Sequence, residues 1–220
     1  MSQPPRGHGA AAVAALEEEI VLGLLHPRER LREDELMERF ELKRHVARAV
    51  LSDLASLGLV ERRPNAGAVV REYSTDEVRD LYQVRELLET TAAASIADPL
   101  PTGALEALRA TQAEHDLAVS EGDRRRVFRA NLRFHEQLFA MAPNAVLVEA
   151  VNAHARRAHA IRFTSFADQA SLERARTEHH AILEALDPVD PVRLSAVCAA
   201  HLLPSRDAYL AKSVDRDRLR

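Results

Sequence analysis

The sequence predicts a mainly α-helical protein with two parts, a short N-terminal domain that ends in a β-hairpin and a longer all-α bundle of six helices. Apolar residues recur at helical spacing along most of the 220 residues. Two short apolar runs flank turn-forming residues near position 65, and no comparable strand pattern follows them. Aromatic residues make up only 4% of the chain, so Leu, Ala, Val and Ile must fill the interior of the bundle.

The first motif, residues 31–70, has the order helix, turn, helix and hairpin, which is a winged helix-turn-helix. A short helix precedes a turn at Glu41-Leu42, and a second helix over 43–57 ends at Gly58, which tolerates left-handed backbone angles. The apolar face of this second helix comprises Val46, Val50, Leu51, Leu54 and Leu57. The strands and turn of the hairpin are Leu59-Val60, Ala68-Val69-Val70 and, between them, Pro64-Asn65-Ala66-Gly67.

The second helix is basic on the side opposite its apolar face. Residues 39–71 carry a net charge of +4 within a chain of net charge −4. Such a helix fits the major groove of DNA, although it could also be an ordinary solvated face. The predicted DNA-contacting residues are Lys43, Arg44, His45, Arg48, Arg63 and Gly67. Because one domain offers a single recognition helix, we expect a homodimer that reads an inverted repeat in a double-stranded operator.

The limits of the two domains follow from composition. Residues 1–9 are rich in proline and glycine and are predicted to be a disordered tail. The N-terminal domain then covers 10–73, and the helical domain covers 74–213. A single cysteine, Cys198, and the lack of an export leader or a long apolar run predict a cytoplasmic protein without a membrane span. The first helix of the N-terminal domain has its apolar residues at Val13, Leu16, Ile20 and Leu24.

Six helices are predicted in the second domain, and Ser74 or Thr75 caps the first of them. They cover about 75–97, 102–120, 123–142, 144–164, 168–186 and 190–211. Three of these helices carry a polar residue on the apolar face. A buried polar group is costly unless it has a partner or a purpose, so we look for chemistry at these positions.

Histidines account for most of these inward polar residues. Asn131 and His135 lie one turn apart on the apolar face of the third bundle helix, His179 lies on that face of the fifth, and His201 on that of the sixth. Their imidazoles could bind a divalent metal, with Asn131 adding an oxygen, or each could be a hydrogen-bonded core residue. His180 is rotated away from the fifth helix's apolar face. The fourth helix offers two rival ligands, His154 and His159.

Arg85 lies on the apolar face of the first bundle helix. A guanidinium that points inward needs an anion, which is either an internal partner such as Glu89 or a bound carboxylate. The functional alternative is therefore a small carboxylate metabolite held by Arg85 and the metal together. Arg133 and Arg162 are weaker candidates for binding the same effector.

The N-terminal motif resembles the winged helix-turn-helix of the GntR family of bacterial transcription regulators. The likeness is carried by Leu31, Glu33 and Leu36, by KRHVARAVL (43–51), by Leu54, Gly58, Leu59 and Val60, and by Gly67 and Val70. Three positions depart from the family pattern: Lys43 replaces its serine, Ala47 its first valine, and Ala66 the arginine before the wing glycine. The resemblance implies operator binding, and the departures concern the DNA target more than the fold.

The helical domain resembles the ligand-binding domain of the FadR branch of that family, the type called FCD. The shared motifs are YQVRELLE (82–89), NLRFHEQL (131–138), EHHAILEAL (178–186) and AAHL (199–202). The resemblance implies a metal site formed by Asn131, His135, His179 and His201, for which zinc or nickel is the expected ion. Asn131 replaces the family's aspartate. Pro204 should kink or end the last helix.

These features favour a bacterial, metabolite-responsive DNA-binding regulator, with repression as its expected action and the nucleoid as its location when bound to the operator. A helical metalloenzyme is the main alternative. It is disfavoured because the chain has neither a His-Glu-x-x-His motif nor a Glu-x-x-His pair, and no general base is evident beside the histidines. A direct sensor of metal ions would use the same residues, and it differs only in that metal alone would change DNA affinity.

Overall fold

The computed structural model of the protein describes residues 7–63, 67–162 and 168–218. It divides the chain into two compact units. The N-terminal unit consists of Met1–Tyr73 and Arg156–Phe163, and the C-terminal unit of Ser74–Ala155 and Thr164–Arg220. The sequence assigns the segment 156–163 to the bundle, whereas in the structure it packs with the N-terminal unit. Among the described residues, no helix combines the length and the apolar character needed to cross a bilayer.

The N-terminal unit contains the predicted winged helix-turn-helix. Its elements before the C-terminal unit are α1 (Gly7–Val21), β1 (Arg30–Leu31), α2 (Glu33–Arg39), α3 (Arg44–Ser56), β2 (Val60–Arg63) and β3 (Gly67–Val70). The predicted hairpin is formed by β2 and β3, and its turn residues 64–66 lie outside the described residues. The sequence did not predict β1, which pairs antiparallel with β3 and makes a sheet in the order β1-β3-β2. Two residues are too few to show a strand pattern.

Gly67 allows β1 and β3 to approach each other closely. Its φ of +78° lies in the left-handed region, and a Cβ at this position would come 2.3 Å from the carbonyl oxygen of Leu31. Glycine is the residue that tolerates both the backbone angle and the close approach. Gly67, which the sequence placed among the DNA-contacting residues, therefore has a structural reason to be glycine.

The buried face of α3 differs slightly from the predicted one. Its buried residues are Ala47, Val50, Leu51 and Leu54. The sequence placed Val46 and Leu57 on this face, but both are only half-buried, so the face is rotated toward Ala47. Alanine gives a weak apolar signal because its side chain buries little surface. The side of α3 that carries the basic residues remains exposed.

α1 begins and ends earlier than the sequence predicts. The predicted disordered tail included residues 7–9, but α1 begins at Gly7, so the prediction was wrong for these three residues. Tertiary packing of an apolar face outweighs the low helix propensity of glycine. At its other end α1 stops at Val21, and Gly23 has a φ of +70°. Leu24 is therefore 56% exposed rather than part of the core.

The described part of the C-terminal unit is the predicted all-α bundle of six helices. They are α4 (Thr75–Ser95), α5 (Ala104–Glu121), α6 (Arg124–Phe139), α7 (Ala145–Arg157), α9 (Gln169–Ala185) and α10 (Pro191–Arg218), while the short α8 (His159–Arg162) belongs to the N-terminal unit. α4 packs along α10, and α5 packs against both α6 and α9. The predicted cap of α4 is confirmed as a capping box, because the Ser74 hydroxyl accepts from the Glu77 N–H and the Glu77 carboxylate accepts from the Ser74 N–H.

Two of the predicted bundle helices differ in the structure. The predicted fourth helix, 144–164, is interrupted at Ala158, where α7 has ended and α8 begins. α10 runs through Pro204, although the sequence predicted that the proline could end it. A proline removes one helix hydrogen bond, which the packing of the neighbouring turn can offset. That turn contacts α4, since the Tyr82 hydroxyl lies 2.7 Å from Oγ of Ser205.

Candidate DNA-binding surface and metal centre

The basic residues of α3 lie on the surface of the N-terminal unit. Lys43 is the N-cap residue of α3, and Arg44, His45 and Arg48 follow on its exposed side. The Arg48 Nε donates to both carboxylate oxygens of Glu33, at 3.0 Å each. This ion pair fixes one edge of a guanidinium whose side chain is 58% exposed. Exposed arginines near a helix N-terminus can pair with phosphate oxygens or with guanine acceptors.

Further arginines lie around the same surface. The residues that line a cavity of about 600 Å³ there are Arg30, Arg32, Glu33, Asp34, Arg44, Arg48 and Gly67. The sequence did not single out Arg30 and Arg32, because the pairing of β1 with β3 brings them to this surface and that pairing has no local signal. Arg63 of β2 is exposed, and its contact with Glu61 is long, at 3.9 Å.

Three of the predicted metal ligands lie together in the C-terminal unit. His135 of α6, His179 of α9 and His201 of α10 each place a ring nitrogen within 4.8 Å of the other two. The Nε2 atoms of His135 and His201 are 3.2 Å apart. The side chain of His179 is fully buried and that of His201 is 10% exposed. Three helices, of which α9 and α10 are consecutive and α6 is distant in the sequence, therefore direct three imidazoles toward one point, which we call the histidine cluster.

Polar neighbours orient two of the three imidazoles. The His201 Nδ1 lies 2.6 Å from a carboxylate oxygen of Glu178, and the His179 Nδ1 lies 2.9 Å from the side-chain oxygen of Gln112. Because these oxygens accept hydrogen bonds, each Nδ1 carries the proton and each Nε2 has a lone pair. Histidines that bind metals commonly donate their second nitrogen to such a partner. The Nε2 atoms of His179 and His201 are therefore the candidate metal donors.

The spacing of one donor pair, in His135 and His201, fits a divalent metal ion. At metal–nitrogen distances of about 2.0–2.1 Å, two ligating nitrogens are about 2.8–3.4 Å apart, with adjacent octahedral positions at the lower end and tetrahedral positions at the upper end. The distance of 3.2 Å between the Nε2 atoms of His135 and His201 falls within that range. Imidazole donors suit zinc and nickel, whereas magnesium and calcium prefer oxygen.

Asn131 lies one turn before His135 on α6 and is 6% exposed. Its Nδ2 is buried and has no hydrogen-bond partner among the residues that the structure describes. A half-turn of the amide would place the oxygen there, since the two ends of the group have the same shape. Asn131 can therefore offer the neutral oxygen ligand that the sequence predicts.

A further buried histidine, His115 of α5, lies beside the cluster and was not predicted. Its ring centroid is 4.8 Å from that of His179, and neither of its ring nitrogens has a hydrogen-bond partner within the described ranges. Burial lowers the pKa of His115 to about 4, although Asp116 opposes this effect, so the ring is neutral at physiological pH. The signal that could have revealed it is the helical spacing of the buried residues Leu108, Thr111, Gln112, His115, Ala118 and Val119.

Arg85 forms an internal ion pair. Its side chain is 1% exposed and donates to one oxygen of Glu89 from Nη2 at 2.8 Å and from Nε at 2.9 Å. Burial lowers the pKa of Arg85, but the charge of Glu89 and the contact with Tyr82 raise it by more, so the guanidinium stays charged. The internal partner that the sequence offered as an alternative is thus present. The Nη1 atom is nevertheless buried with no hydrogen-bond partner in the described part of the chain.

The two weaker effector candidates do not lie inside the bundle. Arg133 pairs with Glu114, and its side chain is 47% exposed. Arg162 is part of α8, which belongs to the N-terminal unit. These locations do not test whether either arginine binds an effector, so both roles stay predictions. Helical spacing alone could not show that α6 turns Arg133 outward or that the fourth predicted helix breaks before Arg162.

The other histidines considered from the sequence have partners of their own. The His154 Nδ1 lies 2.8 Å from a backbone carbonyl of its own helix. His159 of α8 is 1% exposed, and its Nδ1 lies 2.7 Å from a carboxylate oxygen of Glu17 in α1. His180 is exposed and contacts Asp116 at 2.9 Å, as expected for a residue that is rotated away from the apolar face.

Two family descriptions match the chain, one near its N-terminus and one over most of the remainder. Residues 9–70 match the bacterial regulatory proteins of the gntR family, and residues 80–203 match the FCD domain. This chain belongs to the GntR family. The first match contains the helix-turn-helix and the wing, and the second contains the histidine cluster together with Asn131, His115 and Arg85. The protein is thus a transcription regulator with a DNA-binding N-terminal domain and an FCD domain.

Relatives of this GntR protein are also named transcription regulators. The probable D-xylose utilization operon transcriptional repressor of Paenarthrobacter nicotinovorans is 30% identical over 79% of this chain and 76% of that protein. The regulator LutR of Bacillus subtilis is 26% identical over 78% of this chain and 87% of its own length. The repressor RspR of Escherichia coli is 24% identical over 85% of this chain and 82% of its length.

Solved structures share the fold of this GntR protein. The structure of E. coli McbR/YncC has a TM-score of 0.80 at 20% identity and covers 97% of this chain and 100% of that chain. A putative GntR regulator from Rhodococcus sp. RHA1 has a TM-score of 0.77 at 18% identity, covering 92% of this chain and 97% of that chain. At these identities the likeness concerns the fold, so the ligand must be argued from the side chains present here.

Proposed function

We propose that this GntR regulator is a homodimeric repressor whose operator affinity is controlled by a small organic acid bound at a divalent metal ion in the C-terminal unit. The observation that carries the proposal is the convergence of His135, His179 and His201, two of them oriented through Nδ1. We expect zinc or nickel because the donors are imidazoles. Repression is inferred from the relatives that are named repressors.

The chemistry of the donor set favours an anionic effector. A bound divalent ion would supply a positive site for a carboxylate oxygen, and four protein donors leave positions open on a six-coordinate ion. The imidazoles and the amide of Asn131 are neutral, so they leave the charge of the ion uncompensated. An aspartate at position 131 would cancel part of that charge. Arg85, which keeps one buried Nη1 without a partner among the described residues, could bind the rest of the acid.

The operator-binding side of the proposal rests on α3. Lys43, Arg44, His45 and Arg48 form a basic surface, to which Arg30 and Arg32 add further charge. Phosphate contacts by such residues position a protein on DNA, and base contacts by arginine supply specificity. Because each chain contributes one recognition helix, a two-fold dimer would read two half-sites as an inverted repeat.

The effector can act on DNA binding only through a difference in affinity. If the acid binds one arrangement of the dimer more tightly than another, it shifts the population toward that arrangement. By linkage, the operator must then change the affinity for the acid by the same factor. This reciprocity gives the proposal a second measurable quantity, the affinity for the acid with and without DNA.

The proposal is tested by measuring the metal content and the DNA binding of the same protein preparation. Protein purified without a histidine tag should contain about one zinc or nickel ion per chain. It should shift DNA fragments selected from a random pool, and a carboxylate from a metabolite panel should change that shift. If metal alone changes DNA affinity and no carboxylate does, the protein is a direct metal sensor. If the protein fails to bind any DNA but transforms a substrate, the metalloenzyme alternative replaces the proposal.

A further inference from the structure

His115 presents buried polar atoms beside the histidine cluster. The residue is 0% exposed, and neither Nδ1 nor Nε2 has a hydrogen-bond partner in the part of the chain that the structure describes. Its ring is tilted by 50° against that of His179, with the ring centroids 4.8 Å apart. It is not one of the three histidines whose nitrogens approach one another within 4.8 Å. His115 therefore contacts the candidate metal centre without completing it.

A buried neutral imidazole has one N–H donor and one acceptor nitrogen. Leaving both without a partner is costly, and native proteins rarely do so. One polar neighbour of His115 on the same helix is already committed: the Gln112 oxygen accepts from His179, and the Gln112 Nε2 donates to Asp116 at 2.7 Å. The two nitrogens of His115 are therefore suited to a ligand that offers both an acceptor and a donor.

We propose that His115 recognises the effector directly, by donating from its N–H and accepting at its other nitrogen, and that the effector is a hydroxycarboxylate. The inference rests on the proposed function, because the metal ion would hold the acid beside His115. A carboxylate oxygen accepts the hydrogen bond from the N–H. The second nitrogen needs a group with its own proton, and a hydroxyl supplies one. An ammonium group could also donate, but a divalent cation nearby repels it.

The test compares acids that differ only by a hydroxyl group. The probes are the pairs glycolate and acetate, malate and succinate, and citrate and tricarballylate. Their affinities for the full-length, metal-loaded protein are measured by titration calorimetry for the wild type and for His115→Phe. At least one hydroxy acid should bind the wild type about tenfold more tightly than its partner, since one buried hydrogen bond has about that effect. In His115→Phe the preference should fall below about threefold while the metal content stays unchanged.

A preference of the wild type for the hydroxy acid does not by itself test His115, because the hydroxyl could also contact the metal. The test of His115 is the loss of that preference in His115→Phe. His154→Phe makes the same chemical change on α7, where the His154 Nδ1 lies 2.8 Å from a backbone carbonyl of its own helix, and should keep the preference. His115→Gln, which retains a donor and an acceptor, should keep part of it. If His115→Phe does not fold, His115→Leu takes its place, since leucine adds no bulk to the site.

Each other outcome overturns the inference in a recognisable way. If the wild type binds both acids of every pair equally, or if His115→Phe keeps the preference, the role of His115 is contradicted. The proposed function is not affected by either result. Loss of metal from His115→Phe would make this residue a metal ligand and contradict that role as well. A wild-type protein that binds no metal would overturn the proposed function together with the inference. One that binds metal but none of the six acids would overturn the inference, while the wider metabolite panel still tests the proposed function.

Discussion

The Nε2 atoms of His135 and His201 lie 3.2 Å apart, although 66 positions separate the two residues in the chain. Because the Glu178 carboxylate accepts a hydrogen bond from the Nδ1–H of His201, the neutral His201 ring has its lone pair on Nε2. A hydrogen bond between the two rings then requires a proton on the His135 Nε2, whereas binding a metal ion would require a lone pair there. His135 is therefore the ligand that would need its other tautomer to bind a metal.

Glu178→Gln should weaken metal binding by about tenfold or more, because a carboxylate on the second nitrogen makes an imidazole a better ligand. The variant keeps the shape of the side chain and removes its charge. The measurement is competition with a chelator for the bound ion. Glu184→Gln is the matched control, since Glu184 lies on the same helix and pairs with Arg193 on the surface. Equal affinities in the two variants would show that Glu178 does not tune the site.

Arg44→Ala or Arg48→Ala should each cost about 1–3 kcal/mol of operator binding if the arginine reads a base. If the arginine contacts only phosphate, the loss should instead be similar for all sequences and should reduce the salt dependence. The measurement is a fluorescence titration of selected and scrambled DNA at several salt concentrations. Arg79→Ala, an exposed arginine of α4 that pairs with Asp76, is the control. Wild-type operator affinity in both α3 variants would remove the role assigned to that helix.

The main features of the fold were predictable because they depend on local periodicity. Helical spacing predicted the bundle helices, and the order of helix, turn, helix and hairpin predicted the winged helix-turn-helix of the N-terminal domain. The rest depends on contacts that have no local pattern. The two residues of β1 become a strand only because β3 lies beside them, and the break at Ala158 reflects the packing of α8 in the N-terminal unit. Pro204 does not end α10, although the sequence predicted that it could, because the helix around it is packed on α4.

The convergence of the three histidines could be predicted for a similar reason, while their metal binding stays a prediction. His135, His179 and His201 could be found because each is a polar residue on an otherwise apolar helix face. His115 lies on a face that also carries Thr111 and Gln112, so it did not stand out. The roles of Gln112 and Glu178 as partners of Nδ1 are relations between helices, which spacing within one helix cannot reveal.

Arg85→Ala should lower the free energy of unfolding by about 3–5 kcal/mol, because it leaves the carboxylate of Glu89 buried without its partner. The double variant Arg85→Met/Glu89→Leu removes both charges and should recover most of that loss. Denaturant titration measures both effects. If Arg85 also binds the acid, the folded double variant should keep its metal and its DNA binding but lose the response to the acid. A normal response would confine Arg85 to a structural role.

Gly67→Ala should destabilise the N-terminal unit by about 2–3 kcal/mol or more, since it combines a positive φ with a Cβ placed 2.3 Å from the carbonyl oxygen of Leu31. Gly122→Ala has a similar φ of +68° but no atom within 4 Å of its Cβ, so it should cost only about 1 kcal/mol. Thermal melting of both variants separates the cost of the Cβ clash, which only Gly67→Ala has, from the cost of the positive φ, which both variants share. Equal losses would mean that β1 moves away from Gly67 without cost.

The most direct test of the account is elemental analysis of untagged protein, comparing the wild type with the double variant His179→Ala/His201→Ala. The account predicts about one zinc or nickel ion per wild-type chain and almost none in the double variant, because one histidine and one amide bind such ions weakly. His180→Ala, next to His179 but paired with Asp116 at the surface, should keep the full content. A wild-type protein without metal, or a double variant that retains it, would contradict the central claim.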